Sequence, residues 1–261
     1  MKTWMRIGSL GLVLIATAVA VKLAFFPSVK DAYFALDSRK LQHVPPGLLV
    51  VRPTHFSKSQ PKGIIYASSP NGGDNGLWIM GCNVPFSSVI AVAYSHDPAR
   101  IAMPPDAPQD NFDFLVTVSG NPRPRLQAFI GQKLGYTAKT ESRDTDVLAL
   151  KVTDPSLPGM TVSGVDEKEN VDFKDLKLHL THMRMVELAQ GLQQFVKTPV
   201  VDKTDLTNSY DFTADWNFKT QREIRDYTTA RATVDKIVNA LGLMLQPDTA
   251  TIEMLVVKKA R

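Results

Sequence analysis

Two segments of the chain resemble each other at a constant offset. Ile79 corresponds to Leu178, Val89 to Leu188 and Ala93 to Leu192, each pair lying 99 positions apart. The similarity continues in the same order, with "NFDFLVTV" matching "SYDFTADW" and "DVLALKV" matching "IEMLVVK". Self-similarity at a fixed spacing indicates an internal duplication, and it constrains the fold because both copies must adopt one order of elements.

Each copy predicts the same α+β module, of order βαββαββ. "LWIMG" and "LKLHL" alternate as half-buried strands do, and an amphipathic helix follows each. A hairpin is predicted to close each copy, over "YTAKTESRDTDVLALKV" and "LMLQPDTATIEMLVVKK". The predicted organisation is a connecting segment over 31–76 with a strand near 48–56, a first module over 77–153, a linker over 154–175 and a second module over 176–261.

The first 30 residues predict a transmembrane helix ahead of the two modules. Lys2 and Arg6 precede an apolar stretch over 7–26 that only Lys22 interrupts. About 20 apolar residues suffice to cross a bilayer, which favours a signal anchor in the inner membrane. A cleaved signal peptide is the alternative, since Ala18-Val19-Ala20 fits a cleavage site. In both cases the remainder is exported, and we expect it outside the cytoplasm.

Charge and cysteine content exclude two classes of function. The formal charge is +4, from 30 basic and 26 acidic residues. Residues 1–30 hold four of the basic residues and no acid, so the exported part is balanced and nucleic-acid binding loses its electrostatic support. Cys82 is the only cysteine, which excludes an intramolecular disulfide and a zinc site built from several cysteines.

The stretch "PVVDKTDLTNSYDFTADW" concentrates carboxylates between Pro199 and Trp216. A strand with a period of two places Tyr210 and Phe212 on the core face and Asp211 toward solvent. Asp and Thr side chains in the preceding connection bond nearby backbone N–H groups and shape turns. We therefore interpret the stretch as a structural turn and strand motif, with the residues Asp202, Lys203, Thr204, Leu206, Tyr210, Asp211, Phe212 and Trp216.

The sequence predicts no catalytic residue, cofactor or metal ligand. "DKTDLT" is similar to the D-K-T-G-T-L-T of phosphoryl-transferring pumps, but Asp205 replaces the glycine and no downstream aspartate pair follows to hold Mg²⁺. His179 and His182 are three positions apart at a strand-to-helix passage, where they do not converge as i and i+4 do on a helix.

From about Pro46 onward, the chain resembles a soil-associated family of exported bacterial proteins that carry a domain of unknown function. The motif P-V-V-D-K-T-x-L-T-x-x-Y-D-F carries the resemblance, with Asp205 and Asn208 at positions where the family usually has glycine. The modules are also similar, in the order of their elements, to the short N-terminal domain of secretins and TonB-dependent receptors. These resemblances imply small exported modules that dock to other proteins, and they imply no reaction.

We therefore expect a non-catalytic binding module whose partner is an envelope protein or peptide. The alternative is a hydrolase-type enzyme with a site in the groove between the modules. Clustered titratable side chains with perturbed pKa values would favour the enzyme. An apolar groove or an open strand edge would favour the binding module.

The apolar segment leads to a prediction about membrane association. The full-length chain should sediment with membranes and resist carbonate extraction, because residues 7–26 stay embedded. A fragment of residues 45–261 should remain in the supernatant and serves as the control. A mature N-terminus at Val21 would contradict the anchor and favour the cleaved signal peptide.

Overall fold

The computed structural model describes residues 31–56, 62–69, 76–164, 168–174, 177–215 and 227–260, and it shows an α+β protein. The helices are α1 (Ser38–Leu41), α2 (Phe86–Tyr94), α3 (Pro122–Phe129), α4 (Met185–Val196) and α5 (Tyr227–Ala240). The strands are β1 (Leu49–Pro53), β2 (Gly63–Ser68), β3 (Leu77–Pro85), β4 (Ile101–Ala102), β5 (Asn111–Val116), β6 (Tyr136–Val152), β7 (Met160–Val162), β8 (Asn170–Lys174), β9 (Lys177–Arg184), β10 (Val200–Asp202), β11 (Ser209–Asp215) and β12 (Leu243–Lys259).

The chain divides into two compact units. One comprises residues 1–96, 102–139 and 256–261, and the other comprises residues 97–101 and 140–255. The division between the two units falls inside two long strands. It lies after residue 139 in β6 and after residue 255 in β12. The first unit therefore contains the start of β6 and the end of β12, and the second unit contains the rest of both strands.

The first unit is built on an antiparallel sheet of order β1-β5-β3-β2. Apolar side chains cover one face of this sheet, where Trp78, Met80 and Leu115 pack with Phe34 and Leu41. The opposite face contacts α2 and α3. Since both faces are covered, β3 is buried from Trp78 through Val84, as a near-continuous apolar strand should be.

The second unit contains a sheet of the corresponding order, β7-β11-β9-β8. Its core joins Leu180, Phe212, Leu192 and Val238 from two strands and two helices, with Leu150 from β6. Among the described residues, the strands and α-helices follow the order β-β-β-α-β-β-α-β both from β1 to β6 and from β7 to β12.

The third sheet has the order β10-β6-β12-β4 and differs from the sequence-based prediction. We predicted a closing hairpin in each half, and in its place the structure has one continuous strand of 17 residues, β6 or β12. Tight two-residue hairpin turns need residues with positive φ, and no residue of either strand has one. The exposed polar residues in the middle of each strand therefore stay extended.

Two segments predicted as connections contribute strands to the sheets. The predicted linker over 154–175 holds β7 and β8, which pair with β11 and β9. The connecting segment over 31–76 holds β2 in addition to β1. Each of these strands has at most six residues, so its alternating pattern is short. The glycine, proline and acidic residues around it are typical of loops, and they hide the strand in the sequence.

Within the described residues, no helix is long and apolar enough to cross a membrane. The predicted transmembrane helix over 7–26 lies outside the described residues.

Close packing at Gly81 leads to a prediction about stability. A Cβ at Gly81 would lie 2.0 Å from Cε1 of Phe114, whose ring is fully buried. Gly81→Ala should therefore lower the free energy of unfolding by about 1–3 kcal/mol or more through overpacking. Gly191→Ala is the control, because nothing lies within 4 Å of its Cβ position inside α4. It should raise stability by about 0.5–1 kcal/mol. Equal denaturation midpoints for the two variants would contradict this packing.

Candidate functional site

In the second unit, the Asp211 carboxylate holds a β-bulge in the neighbouring strand. The pairing of β11 with β9 shifts register between Tyr210 and Phe212, so that Thr181 and His182 lie opposite Asp211. His182 has a φ of 55°, and its backbone N–H donates to Oδ1 of Asp211 at 2.8 Å. The Ser163 hydroxyl donates to the same oxygen at 2.5 Å. Asp211 is thus half-buried and bonded, whereas alternation alone predicted that it points to solvent.

The first unit contains the same arrangement around Asp113. The pairing of β3 with β5 shifts register between Gly81 and Val84, so that Cys82 and Asn83 lie opposite Asp113. Asn83 has a φ of 53°, and its N–H donates to Oδ1 of Asp113 at 2.9 Å. The Asn111 side-chain amide donates to Oδ1 of Asn83 at 2.8 Å.

Each bulge lies immediately before a helix. Asn83 precedes the start of α2 by three residues, and His182 precedes the start of α4 by three residues. A residue other than glycine in the left-handed region carries a steric penalty, and a bulge bends and twists its strand. The carboxylate stabilises this conformation, because it accepts the N–H that the bulge removes from the ladder.

Asp113 begins a chain of charged side chains that reaches the surface. Asp113 is fully buried, and Nε of Arg52 lies 3.5 Å from its Oδ2. The same guanidinium donates to Asp31 at 2.7 Å and lies 4.7 Å above the ring of Phe34. His55 contacts the other Asp31 oxygen at 2.8 Å. Hydrogen bonds from His55 and then from Arg52 lower the pKa of the Asp31 carboxyl.

Cys82 lies beside this chain and is not suited to nucleophilic chemistry. Its thiol is buried, and burial raises its pKa to about 11, with a further contribution from the charge of Asp113. Reactive cysteines have a lowered pKa and partial exposure, because the thiolate is the nucleophile. At neutral pH Cys82 therefore stays a protonated, packed thiol.

The "DKT" residues of the carboxylate-rich stretch form a self-contained turn. Asp202 ends β10, which runs parallel to β6. Its Oδ1 accepts the N–H of Thr204 at 2.9 Å and the Thr204 hydroxyl at 2.7 Å. Thr204 is buried, and its hydroxyl oxygen accepts the N–H of Leu206 at 3.2 Å. These contacts are those of an Asx turn followed by a threonine turn.

Two further residues of this turn are Asp205, which has a left-handed backbone, and Lys203, which forms an ion pair. Asp205 has a φ of 58°, a conformation that glycine adopts without a steric penalty. Lys203 Nζ lies 3.0 Å from Oδ2 of Asp248, and the hydrogen bond from Lys203 is the main cause that lowers the pKa of that carboxyl. Lys151 contacts the same oxygen at 3.8 Å. Because these side chains are 28–43% exposed and reach solvent, the ion pairs add little to stability.

The remaining residues of the stretch belong to the core or lie outside the described part. Tyr210, Phe212 and Ala214 are buried, while Trp216 lies outside the described residues. His179 Nδ1 contacts the Thr213 hydroxyl at 3.0 Å, and His182 is the bulge residue. In the part of the chain that the structure describes, no group of three or more His, Cys, Asp or Glu side chains is placed to hold a metal ion.

Exposed apolar side chains concentrate on the outermost strands, which makes each of these strands, within its own unit, a candidate binding edge. The exposed large hydrophobic residues of the described ranges are Tyr66, Val162, Val171, Val186 and Met244. The first three lie on β2, β7 and β8, each of which ends a sheet. The sequence pattern does not predict the edges β7 and β8, because both strands fall in the predicted linker. The alternating runs "MTV" and "NVDF" are the signals that point to them.

The bulge geometry predicts different effects for two acids of one strand. Asp211→Ala should lower the free energy of unfolding by about 1–3 kcal/mol, because it leaves the His182 N–H without its acceptor. Asp215→Ala is the control, since Asp215 is exposed at the end of the same strand. This substitution should change the free energy of unfolding by no more than about 0.5 kcal/mol. Chemical denaturation of both variants measures the difference. Equal small effects would show that the carboxylate does not hold the bulge.

Comparison with known proteins assigns the chain to a family without assigning an activity. No curated protein and no solved structure matches the sequence. The family described as "Protein of unknown function (DUF3738)" matches residues 87–260, which include both bulge carboxylates and the whole stretch from Pro199 to Trp216. On this match, which covers most of the sequence, the chain belongs to the family of proteins of unknown function DUF3738.

Proposed function

We propose that the protein is a non-catalytic binding module of the cell envelope, held at the inner membrane by residues 7–26, and that the rest of the chain is exported. The apolar N-terminal segment and the resemblance to exported bacterial proteins support this location. The partner that we infer is another envelope protein or a peptide segment of one.

The concentration of exposed apolar side chains on edge strands carries the proposal. Tyr66, Val162 and Val171 are 49%, 63% and 55% exposed on β2, β7 and β8. An edge strand presents unpaired N–H and C=O groups, and exposed apolar side chains beside them give a partner strand both backbone hydrogen bonds and apolar contact.

The use of the carboxylates also favours binding over catalysis. Asp113 and Asp211 accept the N–H groups of the bulges, and Asp202 closes its own turn. These backbone hydrogen bonds give the three carboxylates a structural role. Cys82, in addition, is a buried, protonated thiol.

An internal duplication belongs to the same proposal. The two halves share one element order, and their left-handed bulge residues Asn83 and His182 lie 99 positions apart, as the sequence offset requires. Duplication of a docking module provides two related sets of edge strands in one chain.

Charged substitutions on the edge strands test the proposal. Tyr66→Lys, Val162→Lys and Val171→Lys in one chain should reduce chemical crosslinking to envelope proteins in native membranes at least tenfold, because lysine blocks strand pairing. The thermal midpoint should change little, since these side chains are exposed.

Val186→Lys is the matched control, because Val186 is an exposed valine on helix α4 rather than on an edge. It should leave the crosslinking pattern unchanged. Unchanged crosslinking in the triple variant, or equal loss in the control, would contradict edge-strand binding.

A further inference from the structure

Strand β2 differs from every other outer strand among the described residues. Its sequence, Gly63–Ser68, is six residues long and contains neither a charge nor a proline. The other outer strands pair less readily than β2, because β1 contains Arg52 and Pro53, β8 contains Asp172, and β4, β7 and β10 are only two or three residues long. Charges, prolines and short lengths are the means by which natural proteins limit pairing at exposed edges, so β2 is the outer strand of the described part that is most open to a partner.

The register of β2 defines which backbone groups are available. Ser69 N–H donates to the Gly76 carbonyl at 2.9 Å, which continues the register in which Ala67 faces Trp78 and Ile65 faces Met80. In an antiparallel pair, every second residue exchanges hydrogen bonds with its partner strand. The N–H and C=O groups of Gly63, Ile65 and Ala67 therefore point toward β3. Those of Ile64, Tyr66 and Ser68 point away from it, toward the outer edge, where the described residues provide no further strand.

The same alternation places successive side chains of β2 on opposite faces of the sheet. Ile65 and Ala67 pack into the cluster that contains Trp78 and Met80. Ile64 and Tyr66 lie on the opposite face, with Ile64 half-buried and Tyr66 exposed. An added strand would thus meet three outward donors, three outward acceptors and one exposed aromatic ring.

We propose that β2 binds an extended, uncharged segment of a partner protein, which adds to the sheet β1-β5-β3-β2 as a fifth strand. The inference rests on the proposed function and names the site and the chemistry of its ligand. An uncharged strand matches β2, which offers no charge to pair with.

The dimensions of the edge favour a peptide over a second folded copy. Stable contacts between folded chains bury about 1,200–2,000 Å². A six-residue strand is only about 20 Å long, and the exposed apolar surface along it comes mainly from Tyr66. Recognition of an extended peptide needs only the backbone groups and a contact for alternate side chains.

Residue-resolved amide hydrogen exchange on the full-length chain tests the site. The probe is a capped heptapeptide of alternating valine and threonine. It should slow exchange of the Ile64, Tyr66 and Ser68 amides at least tenfold, because these amides gain partners. The amides of Ile65 and Ala67 should not change, since they are already bonded to β3. Absence of protection at the three outward amides would overturn the proposal.

A backbone variant tests whether the outward N–H groups bind the peptide, and a second peptide tests whether charge weakens binding. Tyr66→Pro removes one outward N–H without touching the bonds to β3, so it should abolish protection by the peptide. If that variant does not fold, Ile64→Lys should weaken the protection by placing a charge at the edge. A heptapeptide of alternating lysine and threonine should protect less than the uncharged one, and equal protection would contradict recognition of an uncharged segment.

Three further outcomes distinguish this inference from binding of a second copy and from the proposed function. Protection that depends on protein concentration without peptide would show a second copy on β2 and overturn the peptide assignment. Envelope crosslinking that depends on the edge strands, without protection at β2, would contradict this inference alone. Protection at β2 without any such crosslinking would support this inference and contradict the proposed function.

Discussion

The hydrogen bond from a left-handed bulge residue to a strand carboxylate is the contact on which both units depend. It forms between Asn83 and Asp113 in one unit and between His182 and Asp211 in the other. In each case a helix begins three residues after the bulge, so the bulge sets the direction in which the strand continues into the helix. Without an acceptor, the N–H of the bulge would lack a partner inside the sheet, which is unfavourable.

The surroundings of the two carboxylates differ. Asp113 is fully buried and lies beside Arg52, which connects it to Asp31 and His55 at the surface. Asp211 is half-buried and has the Ser163 hydroxyl as its neighbour. Removing one partner of a buried ion pair is far more disruptive than removing an exposed one. The first unit is therefore more sensitive to loss of its carboxylate, although the geometry of the bulge is the same.

Much of the fold was predictable from local pattern, whereas the bulges and the edges were not. Alternation predicts a strand around Phe212, and apolar periodicity predicts the helices that begin at Phe86 and Met185. Asparagine and histidine are enriched among left-handed residues, but Asn83 and His182 lie inside strand-like runs, so alternation predicts extended backbone at both positions. The burial of Asp113 depends on Arg52, a neighbour only across the sheet. The hairpins were wrong because polar residues in mid-strand resemble a turn, and the candidate binding edge was missed because its strands are short.

Amide hydrogen exchange at the two bulge residues tests whether the carboxylates hold the bulges. We expect the N–H groups of Asn83 and His182 to be protected like the paired amides of β3 and β9, because each donates to a carboxylate oxygen. Exchange of both amides at the rate of an unstructured peptide, while the flanking strand amides stay protected, would contradict this role of the carboxylates.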